Sequence, residues 1–233
     1  MEQQTICLEE LRRRVARLEA PRHAEGPPLA TGCDVLDRML PEGGFRRGVM
    51  VEWLSDEGTG AGTLALLAAR SACQDGRRLA VLDPRAEFCP TAAVRLGIAV
   101  GQLLVIQPGD AADHDWAVDQ VLHSPAVGAV LAWSRTTDAR TLRRWQLAAE
   151  AGGTLGLLLR PIVARSEPSW ADVRLLVEPL SVNRHWHDKT RPLRITLLRC
   201  RGAVAGRSVD VELDDETYRV HSLEERRLQT ATG

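Results

Sequence analysis

The chain predicts an α/β fold: a mostly parallel, twisted sheet flanked by helices, with antiparallel strands added at the C-terminal edge and a helix in front. Three observations predict it. Apolar strands and helical segments alternate from Val49 to Leu159. Two strands, Val127–Trp133 and Thr154–Leu159, are apolar with almost no interruption, as in strands buried on both faces. The first strand, VMVEWL, runs into a Gly-rich turn, SDEGTGAGT, that opens an apolar helix.

That strand, turn and helix, Val49–Thr63 and onward, organise the rest. Such a turn aims several backbone N–H groups and a helix N-terminus at one spot, the geometry that cradles phosphate. The expected pattern is G-x-x-x-x-G-K-[ST], whose lysine reaches the β/γ-phosphates and whose hydroxyl holds Mg²⁺. Here Ser55 stands at the first Gly and Gly60 at the second, Ala61 replaces the lysine, and Gly62, followed by Thr63, replaces the hydroxyl residue. The only lysine of the chain is Lys189. A dinucleotide fingerprint fits poorly, because Gly58, Gly60 and Gly62 give G-x-G-x-G instead of G-x-G-x-x-G.

The elements follow in order. Leu8, Leu11, Val15 and Leu18 recur at helical spacing in residues 1–20, so that segment reads as an amphipathic helix whose apolar stripe docks on its own domain or on a partner. Residues 21–28 form a Pro-rich linker. A short helix with Val35, Leu36, Met39 and Leu40 precedes the first strand. The helix Ala61–Cys73, strand Leu79–Asp83, helix Pro90–Leu96, strand Leu103–Ile106 and helix His114–His123 come next, with Trp116, Val118 and Val121 offered to the core. Asp138 caps a helix running to Glu150. Beyond Pro161, Asp172–Val177, Leu193–Arg199 and Ser208–Leu213 read as antiparallel strands at the sheet edge. Residues 29–213 form the core, and 214–233 a polar tail.

Composition sets limits. At 233 residues and 44% apolar content, one domain with a full core is expected. A net charge of −1 gives no bulk attraction to nucleic acid or membrane. Five scattered cysteines without a C-x-x-C pair point to free thiols in a reducing cytoplasm. His185 and His187 flank Trp186, but no third ligand is spaced to join them, so no metal is expected.

The phrase T-G-x-x-x-L-D-x-x-L-x-x-G-G, carried by Thr31, Gly32, Leu36, Asp37, Leu40, Gly43 and Gly44 and followed by Gly48, a strand and the Gly-rich turn, resembles the opening of the RecA-like ATPase core. That resemblance implies a catalytic Glu two residues past Asp83, where this chain has Arg85, and a metal-organising Asp at the end of the fourth strand, where it has Trp133. With the lysine and metal hydroxyl also missing, no hydrolysis and no cofactor are expected. Residues 184–207 carry six net positive charges. Arg184, Lys189, Arg191, Arg194 and Arg201 stand there as DNA-contacting candidates or, equally, as the solubilising charges of an edge strand.

A RecA-like core without these residues resembles ImuA, an SOS-induced translesion-synthesis accessory factor, and also the SulA-like division inhibitors. Leu198-Arg199-Cys200-Arg201-Gly202 and the acidic-ended strand after it look more like ImuA. The resemblance implies a cytoplasmic adaptor for an ImuB-like protein, RecA and an error-prone replicative polymerase complex, with room for DNA and self-association and no membrane. A RecA-like DNA-dependent ATPase with an atypical phosphate loop is the alternative reading.

Overall fold

The computed structural model describes residues 26–134, 137–180 and 189–224. The N-terminal helix expected over 1–20, with Leu8, Leu11, Val15 and Leu18, lies outside these residues, as do Arg184, the His185–His187 triplet and the end of the tail.

Among the described residues, nine strands form one sheet in the order β3-β2-β4-β5-β1-β6-β7-β8-β9. They are β1 (Met50–Ser55), β2 (Arg78–Leu82), β3 (Leu103–Ile106), β4 (Val127–Trp133), β5 (Leu155–Pro161), β6 (Val173–Pro179), β7 (Thr190–Cys200), β8 (Ser208–Asp214) and β9 (Val220–Ser222). The helices are α1 (Asp34–Asp37), α2 (Ala61–Ala72), α3 (Pro90–Arg95), α4 (Ala111–His123) and α5 (Ala139–Gly152).

The apolar runs are buried on both faces, and alternation within each strand splits them between two cores. Val51, Trp53, Leu79, Val81, Ala129, Leu131, Leu155 and Leu157 face the side of α2 and α3. Met50, Ala80, Leu82, Val130, Ala132 and Leu158 face the side of α4 and α5. Two tryptophans are fully buried: Trp53 meets Phe45 edge-on at 6.2 Å, and the Trp145 indole N–H on α5 donates to the Asp115 carbonyl on α4 at 3.2 Å. Gly128 lets the end of α2 sit directly on β4, since a Cβ there would lie 2.2 Å from the Ala72 carbonyl oxygen.

Caps set the helix bounds. Asp138 accepts from the Arg140 and Thr141 amides at 2.8 and 3.0 Å, as its position before α5 predicts. Asp110 does the same for Asp113, so α4 begins at Ala111, three residues before the expected start. Trp116 is not in the core. The inward stripe of α4 is His114, Ala117, Val118 and Leu122, and Trp116, about 200° around the helix from Val118, is 64% exposed.

The C-terminal strands correct the expectation twice. β6 is parallel to β1, not antiparallel; the chain crosses over from β5 through a 3-10 turn, Ile162–Ser166, with no α-helix to announce a crossover. Asp172 fastens the start of β6: its amide donates to the Met50 carbonyl at 2.9 Å, and its carboxylate accepts from the Met50 amide at 3.0 Å. β7, β8 and β9 are antiparallel, and the sheet runs on through Val220–Ser222, where a polar tail was expected. No helix among the described residues is long and apolar enough to cross a membrane.

Candidate functional site

The Gly-rich turn lies where the alternation predicts, between the C-terminal end of β1 and the first turn of α2. Thr59 closes it by donating its hydroxyl to the Asp56 carbonyl at 2.6 Å. Gly60 then adopts φ of +117°, a backbone state that glycine tolerates and L side chains rarely do, and serves as the N-cap of α2. Asp56, Glu57 and Gly58 are exposed, whereas Thr59, Gly60 and Ala61 are buried. The Ala61 methyl, 2% exposed, occupies the lysine position of the phosphate-loop pattern. Gly62 faces Leu159, with open contact distance for a Cβ, and Thr63 is half-buried.

What covers the turn is the C-terminal hairpin. Arg191 and Leu213 are register partners on β7 and β8, and Leu193 lies two residues along on the same face. A Cβ placed on Gly60 would meet Leu193 Cδ1 and Leu213 Cδ2 at 3.3 Å each and Arg191 Nη1 at 3.4 Å. Arg191 Nη1 donates to the Gly58 carbonyl at 3.2 Å, and its Nε donates to Asp215 at 2.7 Å.

The other positions of interest lie just past or at the carboxyl ends of β2 and β4, the same edge of the sheet as the turn. Arg85, where the resemblance places a catalytic carboxylate, is bound to Glu87 at 2.6 Å and lies 3.5 Å from Glu57 of the turn. Asp83 is buried, and its two carboxylate oxygens accept from the Glu87 and Phe88 amides at 3.0 and 2.9 Å, so it shapes the turn after β2. Trp133, where a metal-organising Asp would stand, turns its ring toward Phe88 with centroids 6.4 Å apart. Among the described residues, no group of three or more His, Cys, Asp or Glu side chains is placed to hold a metal ion.

The described basic candidates are spread along β7 and its flanks. Lys189 and Arg191 lie at one end; Arg201 lies beyond the other, roughly 30 Å away along an extended strand. Lys189 pairs with Glu216 at 2.9 Å, and that partner raises its pKa. Arg194 meets Asp210 through two bonds, of 2.7 and 2.8 Å. Arg201 is exposed on the turn to β8.

Sequence reasoning missed a buried ion cluster. Glu52 on β1 accepts from Arg160 on β5 at 3.1 Å and from Arg174 on β6 at 2.6 Å, and Arg160 also reaches Glu167 at 2.5 Å. The Glu52 and Arg160 side chains are fully buried. The signal was legible: each is a lone charge in an otherwise apolar strand, and the two signs are opposite. Arg160 lies at the carboxyl end of β5, the edge where open α/β sheets bind ligands. Its guanidinium is turned to the cluster.

The thiols are free in all four described cysteines. Burial pushes Cys33, Cys73 and Cys200 up to about 11. Cys89 is exposed, and its contact with the Thr91 hydroxyl at 2.9 Å lowers its pKa.

Comparison with known proteins agrees with this architecture. The RecA N-terminal domain matches residues 12–138, more than half of the chain. Protein RecA of Chlorobaculum parvum is 37% identical over 103 residues, which is 44% of this chain and 30% of that protein. Protein RecA of Desulforapulum autotrophicum is 35% identical over 105 residues, 45% of this chain and 30% of its own length. For Protein RecA of Streptomyces venezuelae the figures are 31% over 103 residues, 44% and 27%. The chain thus spans under a third of the length of these curated relatives. The sheet order, the turn between β1 and α2 and the matched stretch lead to one conclusion: the chain belongs to the RecA N-terminal domain family.

Proposed function

We propose that this RecA-family chain is a non-catalytic adaptor in SOS-induced DNA repair. In this role it holds partner proteins, and DNA near them, at sites of translesion synthesis. The observation that carries the reading is the set of replacements around the phosphate loop. A buried methyl, Ala61, stands for the lysine, Gly62 for the hydroxyl, Trp133 for the metal-organising acid and Arg85 for the catalytic acid. A cation paired with two carboxylates cannot take a proton from water, and a triphosphate without lysine or Mg²⁺ keeps its charge unneutralised.

The partners follow from the ImuA resemblance carried by Leu198–Gly202: an ImuB-like protein, a RecA-type protein and an error-prone replicative polymerase complex. The stripe of Leu8, Leu11, Val15 and Leu18 is the proposed partner contact. DNA contact falls to the cations around β7, with Arg201 the exposed one at the far end.

Steady-state ATP hydrolysis by the purified chain, with Mg²⁺ and single-stranded DNA, tests the reading. The expected result is no turnover above a protein-free control. Turnover that a substitution at Gly60 abolishes would overturn it in favour of a DNA-dependent ATPase with an atypical loop.

A further inference from the structure

A phosphate loop works by leaving its N–H groups and the first turn of its helix open to an anion. In this chain the C-terminal hairpin lies against that ground at Gly58 and Gly60. The face of β7 that carries Ile195 and Leu197 into the core continues upward through Leu193 to Arg191. Leu193 and Leu213, 1% and 0% exposed, bring methyl groups against Gly60, and Arg191 grips the Gly58 carbonyl. A methyl group gives a desolvated phosphate oxygen nothing in return for its lost water. At the rim Asp56 and Glu57 project from the turn, Glu57 facing Arg85 and Asp215 held by Arg191.

We infer that the β7–β8 hairpin is the resident occupant of the phosphate loop. It shuts out nucleoside triphosphates and turns the loop into a joint that clamps the C-terminal strands to α2. Loss of nucleotide binding is then built in twice, once by the missing lysine and once by the chain's own side chains. Arg85 meets Glu57 on the exposed flank of the turn at 3.5 Å. This inference rests on the non-catalytic reading and goes further, because an unoccupied loop without lysine would still be open to solvent.

That difference is measurable by amide hydrogen exchange on the full chain without nucleotide. Thr59–Ala61 should exchange slowly, unlike the exposed turn Arg201–Gly206. Arg191→Ala, at a partly exposed position, should speed exchange at Thr59–Ala61 by about tenfold, the loss of one charge-assisted hydrogen bond. β2 and β4 should exchange as before. Exchange at the rate of the exposed turn, or no change in Arg191→Ala, overturns the inference. Saturable calorimetric binding of MgATPγS at micromolar concentration does the same. These results, without ATP turnover, leave the non-catalytic reading in place; ATP turnover overturns both.

Discussion

The two ends of the sheet are built differently. From β3 to β6 the strands are parallel, helices or the Ile162–Ser166 turn lie on both sides, and even the charged residues Glu52 and Arg160 are sealed inside. From β7 to β9 the strands are antiparallel. Their inner face carries Leu193, Ile195, Leu197, Val211 and Leu213, and their outer face carries Arg194, Asp210 and Glu212. The same chemistry, a carboxylate facing a guanidinium on the next strand, has opposite standing at the two ends. In the parallel half it is dry and holds three strands in register; in the antiparallel half it is wet and screened.

The sharpest break of this contrast is Glu52→Ala. It leaves Arg174 without its carboxylate and Arg160 with Glu167 alone, and should cost about 3–5 kcal/mol in urea unfolding. A smaller effect is expected at Asp172, where burial holds the carboxyl above its ordinary 3.8. A raised acid costs the folded state stability at neutral pH, and that cost fades as pH falls through the folded value towards 3.8. Asp172→Asn keeps an acceptor for the Met50 amide and loses the charge. It should therefore be more stable than the parent at pH 7, with the advantage vanishing in acid unfolding curves. The smallest effect belongs to the wet half: Arg194→Ala, which breaks only the exposed pair with Asp210, should leave the unfolding midpoint where it was. A large loss there would erase the distinction between the halves.

Where local chemistry decides the structure, the sequence was sufficient. β3 and β4 begin and end at the predicted residues, Asp138 caps α5, and the Gly60 turn opens α2. Failures came where a distant contact decides. β6 runs parallel because a crossover without an α-helix carried it past β1. β9, with three residues, is too short for alternation to register and exists by pairing with β8. At the candidate site the identities of Ala61, Arg85 and Trp133, and their places at or after the ends of β1, β2 and β4, could be read directly. Arg191 could not: it was grouped with nearby cations, yet its partners Gly58 and Asp215 are 133 and 24 residues away in sequence.

The order of the strands has a consequence for what kinship means in this chain. The stretch shared with the RecA N-terminal domain ends at residue 138, after β4, and so contains β1 to β4. Yet β1 pairs with β5 and β6 and with none of the strands inside that stretch. β5, from outside it, is the slat that joins β1 to β4. Cut at the border of resemblance, the strand bearing the Gly-rich turn would hang beside an empty slot. The inherited segment and the unit that folds are two different objects, and the later part of the chain is what makes the earlier part whole.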